Sequence, residues 1–137
     1  VKQFHVDGRV DYLGFVAPGQ IVENVLSGSS VLLLPLGASD IAQYATSPMK
    51  LVEYMATSMP IVAIAAPSVI SLCGSDSVYL SKMNAPDFAD AILTAVLDLP
   101  SIRDERIVRA NTRAVQYDHR ERARRYDDWL SSLLPHP

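Results

Sequence analysis

The feature that most constrains this chain is the run PIVAIA, Pro60 to Ala65, which carries no polar side chain. An unbroken apolar run suits a parallel strand covered on both faces, whereas a half-solvated strand would alternate. Directly before it, Ser47 to Met59 reads as a polar start followed by a two-faced helix. Ser47 is a suitable N-cap, and Pro48 suits the first helical position, where a missing N–H costs nothing. At about 100° per residue, Met49, Val52, Met55 and Ala56 share one arc, with Leu51 at its edge. Lys50, Glu53 and Thr57 share the opposite arc.

Lys50 is out of place. A cation in the first turn faces the positive end of the helix dipole, and Lys ahead of Glu is the weaker order for a helical ion pair. Each penalty is about a few tenths of a kcal/mol to 1. Both vanish if an anion lies at the helix start and accepts the free N–H groups and the Lys50 ammonium together. Glu53, one turn on, is then placed to accept hydrogen bonds from a pair of sugar hydroxyls. The simpler reading of the same spacing is a solvated Lys–Glu face on an ordinary amphipathic helix.

The rest of the chain repeats the strand–helix alternation. Val1 to Asp7 takes no assignment; Arg9 to Val16, RVDYLGFV, reads as a strand ending at Gly14. Ala17-Pro18-Gly19 turns into a short helix with Ile21, Val22, Val25 and Leu26 as its buried stripe. SGSS, Ser27 to Ser30, breaks it, and Val31 to Leu36 is a second buried strand that Pro35 brings to an end. Gly37 to Thr46 is a polar loop; Ala66 to Asp76 is irregular, with a helical turn through Val69 to Leu72; Ser77 to Ser81 is a short strand. Asn84 caps the next helix with Asp87 at its third position, and Phe88, Ala89, Ile92, Leu93 and Val96 face inward. Ser101 with Asp104 and Asp118 with Glu121 are capping pairs for two further helices that meet near Tyr117. Tyr126, Trp129, Leu130 and Leu133 form the apolar stripe of the last.

This order predicts an α/β fold, an open Rossmann-like parallel sheet with flanking helices and right-handed crossovers. Ligands of such sheets bind at the carboxyl ends of the strands. The candidate surface is therefore Gly14 to Pro18, Gly37 to Lys50 and Ala66 to Ser68, which contains the Ser47 helix start.

At 137 residues the chain is one domain with room for a core, yet small for a complete α/β enzyme. Fifteen acidic against twelve basic residues, net −3, give no support for nucleic-acid binding. No apolar run approaches the roughly 20 residues that span a bilayer, and no signal peptide opens the sequence. Cys73 is the single cysteine, so a disulfide framework is excluded and a reducing, cytoplasmic setting is expected. Because it opens on Val1 and its first clear element is a strand, a fragment of something longer is expected.

YLGFV, then VLLLPL, then YATSPMKLVEYMATSMPIVA resemble the carboxyl-terminal domain of group 1 glycosyltransferases of the GT-B fold. The likeness runs from about Arg9 to Trp129, and its specific part is SPMKLVEYMA followed by PIVA. It implies that residues 1–137 are part of a donor-binding domain whose ligand is a nucleoside-diphosphate sugar, a UDP- or GDP-sugar. By the same resemblance Glu53 holds the ribose hydroxyls, and the helix start Ser47, Pro48, Met49, Lys50 and Leu51 faces the diphosphate. Gly14, Phe15 and Val16 correspond to the loop near the base. Many members carry a second glutamate eight residues before the one matching Glu53; here that position is Ala45, as in a subgroup with the SPxKLxEYMA wording. The family's two earlier strands, its glycine-containing loop, its basic phosphate-gripping pair and its acceptor-binding amino-terminal domain are not in this sequence. The domain is therefore expected to be truncated at its start and inactive alone.

The parent reaction implied is sugar transfer to a glycan, lipid or small-molecule acceptor with retention at the anomeric carbon. Helix-terminal N–H groups and Lys50 would stabilise the departing diphosphate, and no Asp-x-Asp sequence occurs, so neither cofactor nor metal is expected. No nucleophile or general base is assigned. Peripheral association of the full-length enzyme with the inner face of the membrane is compatible with this setting. His5, His119 and His136 lack zinc spacing, and Cys73 without a nearby histidine reads as a small buried hydrophobe. Ser68 and Ser71 sit in no nucleophile elbow, Tyr44 and Tyr54 read as loop or core packing, and RERARR, Arg120 to Arg125, reads as a solvated helix face. Three other functions compete: a GT-B sugar-nucleotide epimerase, a non-catalytic flavodoxin-like binding module, and a folded fragment that binds nothing. The second would want acidic strand ends, where this chain has Leu36-Gly37 and Ala65-Ala66.

Overall fold

The computed structural model describes residues 9–26 and 28–133. In chain order the helices are Pro18–Ile21 (α1), Met49–Met55 (α2), Pro67–Cys73 (α3), Ala85–Leu97 (α4), Pro100–Ala114 (α5) and His119–Leu133 (α6). Strands Leu32–Leu34 (β1), Ile61–Ile64 (β2) and Tyr79–Ser81 (β3) pair in parallel in the order β1-β2-β3. Leu32 lies opposite Ile61, and Val62 opposite Tyr79. The architecture is the α/β open parallel sheet that the alternation predicts.

The PIVAIA run supplies β2, which is central and buried along its whole length. Ile61 and Ala63 join Leu32, Leu34, Leu51, Met55, Val69 and Cys73 in the larger core, to which α5 adds Ala110 and Ala114. Val62 belongs to the opposite layer with Tyr79 and Ala95, against which Phe88, Ala91 and Ile92 of α4 are packed. Alternation of side chains across the strand divides β2 between two layers. Pro35 follows β1 without a ladder donor, and the strand stops at Leu34.

Contacts from α5 lock the layers together. The Asn111 amide donates to the carbonyls of Met55 and Thr57, at 2.5 and 2.8 Å, and so satisfies acceptors left over at the end of α2. The Arg106 guanidinium lies 4.5 Å over the Tyr79 ring and donates to the Val78 carbonyl at 3.0 Å, while the Tyr79 hydroxyl donates to Asp98 at 3.0 Å. Arg113 donates to the Cys73 carbonyl and pairs with Asp76 at 2.9 Å. Gly74 ends α3 at φ +68°, and any side chain there would meet the Arg113 guanidinium.

Several local expectations are corrected. Arg9 to Val16 forms no strand: it pairs with no strand among the described residues, and Val10, Tyr12, Leu13 and Phe15 stay exposed. A parallel strand is held by a neighbour and by covered faces, and this segment has neither. In α1 and the π-helical turn Val22–Leu26 that follows it, Leu26 is buried but Val22 is exposed. The Gly37 to Thr46 loop contains a second π-helical turn, Ile41–Ala45, and the turn through Val69 to Leu72 extends to the whole of α3. Ser47 does not cap α2: Pro48 takes the cap position, and the Ser47 carbonyl accepts from the Met49 N–H at 2.8 Å. The buried face of α2 runs through Leu51 and Met55, with Met49 and Ala56 exposed, because contacts with α3 and α5 set the helix rotation. On α4 the buried residue is Ala95, and Ala89, Leu93 and Val96 are exposed. Leu99, not Ser101, precedes α5, and no side chain caps it. Asn84 does cap α4, accepting from the Asp87 N–H at 2.9 Å, and the Asp118 carboxylate accepts from the Arg120 N–H at 2.8 Å. Val1 to Asp7 lies outside the described residues.

Burial separates two residues of α2 that the helical wheel treats alike. Leu51→Ala should cost about 2–5 kcal/mol of unfolding free energy, and Met49→Ala less than about 1. Asn84→Ala should cost about 1 kcal/mol. Urea denaturation of the three variants measures all of these.

Candidate functional site

The carboxyl ends of β1 and β2 open toward two connections. After β1 the chain passes through Ile41–Ala45 into α2; after β2 it enters α3 within three residues. The first connection is braced internally: the Gln43 amide donates to the Ala38 carbonyl at 2.9 Å, and the Thr46 hydroxyl to the Ile41 carbonyl at 2.8 Å. The Ser68 hydroxyl of α3 reaches the Ala42 carbonyl at 3.5 Å, so the two connections adjoin.

Three grooves follow from this arrangement, and shared residues join them in series. A polar pocket is lined by Tyr44, Ala45, Thr46, Ser47, Ser68, Ser71 and Leu72. Ser47 and Leu72 also border a groove of about 420 Å³ with Met49, Val52, Tyr117 and Arg122. Val52 and Tyr117 in turn border a groove of about 590 Å³ with Glu53, Ala56, Asn111 and Asp118. These sizes suit small-molecule clefts. Tyr117, held by a 3.4 Å hydrogen bond from its hydroxyl to the Leu72 carbonyl, forms the ridge between the two larger grooves.

Glu53 is open to solvent, 58% exposed, and its carboxylate accepts from the Lys50 ammonium at 2.6 Å. That hydrogen bond raises the Lys50 pKa, against a smaller effect of burial. As an exposed pair three residues apart it adds only about a few tenths of a kcal/mol to the helix. Glu53 presents an anionic acceptor at a groove wall, while Lys50 borders none of these three grooves. Met49 and Ser47 border the central groove, whereas Pro48 and Leu51 are buried. Gly14 (φ +66°) and Phe15 are exposed and Val16 is half-buried; the structure does not bring these three to the α2 grooves.

Of the other candidates, Cys73 is sealed in the core and its thiol is pushed up to about 11, chiefly by burial, with the nearby Arg113 charge pulling the other way. The Ser68 and Ser71 hydroxyls are spent on the Ala42 and Ser68 carbonyls. Tyr54 packs on the core, while Tyr44 projects from its loop and borders the polar pocket. Among the described residues no three His, Cys, Asp or Glu side chains are grouped to hold a metal; His5 and His136 lie outside them. On α6, Arg124 pairs with Glu121 and Asp128, and Arg125 with Glu121, as a solvated face should. Arg122 breaks that pattern by turning to the central groove. Sequence reasoning missed it, together with Tyr117, Asn111 and Asp118, because RERARR was read as one face. The spacing of four from Arg122 to Tyr126, the start of the apolar stripe, was the available signal.

The family model described as glycosyl transferases group 1 matches residues 1–98, well over half of the chain. The chain belongs to the group 1 glycosyltransferases. Searches of curated proteins and of solved structures return no match. In this group 1 glycosyltransferase the match spans β1, α2, β2, α3, β3 and α4, and ends at the end of α4. It therefore covers α2 and its grooves' sheet side, while Asn111, Tyr117, Asp118 and Arg122 stand beyond it. No helix among the described residues is long and apolar enough to cross a membrane.

The Cys73 environment has a direct consequence. A thiol whose pKa is raised is almost wholly protonated at pH 8, and its thiolate is the reactive form. Folded protein should therefore resist iodoacetamide at pH 8, and urea-unfolded protein should react at the rate of a free cysteine. Mass spectrometry of timed samples reads both rates.

Proposed function

We propose that this chain is the donor-binding part of a GT-B glycosyltransferase, acting on a nucleoside-diphosphate sugar such as a UDP- or GDP-sugar. The observation that carries the reading is the series of three grooves along α2, whose order matches the order of groups in such a donor. Glu53 in the largest groove accepts hydrogen bonds from the ribose hydroxyls, a task its exposed carboxylate and fixed helical position suit. The diphosphate lies in the central groove past Ser47 and Met49. The transferred sugar occupies the polar pocket beside Ala45, where the Tyr44 and Ser47 hydroxyls offer donors and acceptors and the Thr46 and Ser68 hydroxyls, already donating to the Ile41 and Ala42 carbonyls, offer acceptors.

The work of this half is to bind and orient the donor and to stabilise charge on the departing diphosphate. Lys50 holds the Glu53 carboxylate in place by a 2.6 Å hydrogen bond until the ribose arrives. Transfer to a glycan, lipid or small-molecule acceptor requires an acceptor-binding partner domain, with retention at the anomeric carbon. By itself the 137-residue chain is expected to bind donor weakly and to transfer no sugar.

Glu53→Ala should abolish most binding of UDP or GDP, read by saturation transfer from protein to nucleotide at millimolar ligand. Undiminished transfer in that variant, or none from the unsubstituted protein, would count against this reading.

A further inference from the structure

Glu53 takes its position from the helix that carries it. Its side chain is 58% exposed, and its partner Lys50 rides on the same seven-residue α2, so the ion pair moves with the helix. A helix this short is held by packing and not by its own hydrogen bonds. Leu51 and Met55 seat its inner face, but apolar burial is non-directional and leaves sliding and turning weakly opposed.

Direction comes from α5. At the end of α2 the Val52, Glu53 and Tyr54 carbonyls accept from the Ala56 and Thr57 N–H groups, whereas the Met55 carbonyl accepts from the half-buried Asn111 amide at 2.5 Å. The same amide nitrogen donates to the Thr57 carbonyl at 2.8 Å. Asn111 stands on a fixed base, since Ala110 and Ala114 of α5 are buried and Arg106 donates to the Val78 carbonyl at 3.0 Å. Two hydrogen bonds to carbonyls two residues apart fix both the height and the turn of α2. Asn111 and Glu53 border one groove, and Asn111 lies beyond the span that the family model matches.

We propose that Asn111 is a positioning residue for donor binding: its amide ties the end of α2 to α5 and thereby holds the Glu53 carboxylate at the groove they share, a role that rests on the donor-binding function above. Asn111 acts through Glu53 and without touching the ligand. A carboxylate serves a pair of hydroxyls only where it meets both in hydrogen-bond geometry, so a shift of α2 by about 1 Å weakens the contact. Asparagine suits the task because one nitrogen carries two N–H donors. Aspartate has the same shape and, when ionised, no donor, and would set its charge against two carbonyl oxygens.

NMR titration of the full chain with UDP and GDP tests this. Asn111→Asp should weaken both nucleotides about tenfold, and Asn111→Ala should reproduce part of the loss. Thr112→Ala, whose hydroxyl bonds only within α5, should change neither. Lost stability alone leaves the affinity of the folded molecules unchanged, and amide spectra that overlay on the parent away from α2 and α5 show that the fold is kept. In a Glu53→Gln background the Asn111→Asp loss should shrink to less than about threefold, because the contact being positioned is already weakened. Nucleotide affinity unchanged in both Asn111 variants, or losses that multiply in full with Glu53→Gln, overturns the proposal and leaves the donor-binding reading standing. Unsubstituted protein that binds neither UDP nor GDP overturns both.

Discussion

Everything in this fold depends on burying β2. Four apolar residues, Ile61 to Ile64, have strands on both edges and helices over both faces. A strand with no polar face must be covered twice, and the chain does so with α2, α3 and α5 on one side and α4 on the other. The outer face of β1 is left partly open, where Leu33 remains 39% exposed. The crossovers that supply these helices must pass the carboxyl ends of the strands, and the grooves form there as a result.

The grooves are shaped by hydrogen bonds that have no role in the sheet. Asn111 holds the end of α2 against α5, and the Tyr117 hydroxyl reaches across to Leu72. These two contacts, both from the α5 end of the chain, set the rotation of α2 and raise the ridge between the two larger grooves. Glu53 therefore owes its position to residues more than fifty places further on.

Charge is distributed with the same economy. Exposed pairs such as Lys50–Glu53 and Arg124–Glu121 add little stability, yet they decide which charges remain available to a ligand. Among the described residues Lys50, Arg124 and Arg125 have acidic partners, and Arg122 has none. The apolar stripe of α6, Tyr126, Trp129, Leu130 and Leu133, lies exposed, and this helix packs chiefly on the turn Val115–Tyr117 before it.

The sequence by itself determined the central strand, the parallel α/β order, the Asn84 cap and the family. Each rests on contiguous residues: an apolar run, a capping pair, the wording SPMKLVEYMA. It placed Glu53 on the solvated arc of α2 for the same reason, since one helix repeat suffices to put Lys50 and Glu53 together. Tertiary structure alone decided the rest. Whether Leu51 or Met49 faces the core depends on where α3 and α5 press on α2, and RVDYLGFV is a strand only where a neighbour pairs with it. Arg122 reaches the groove because the bend at Tyr117 turns α6 past α2, seventy residues away in sequence. Local patterns record what neighbours along the chain impose; contacts across that distance leave no period to read.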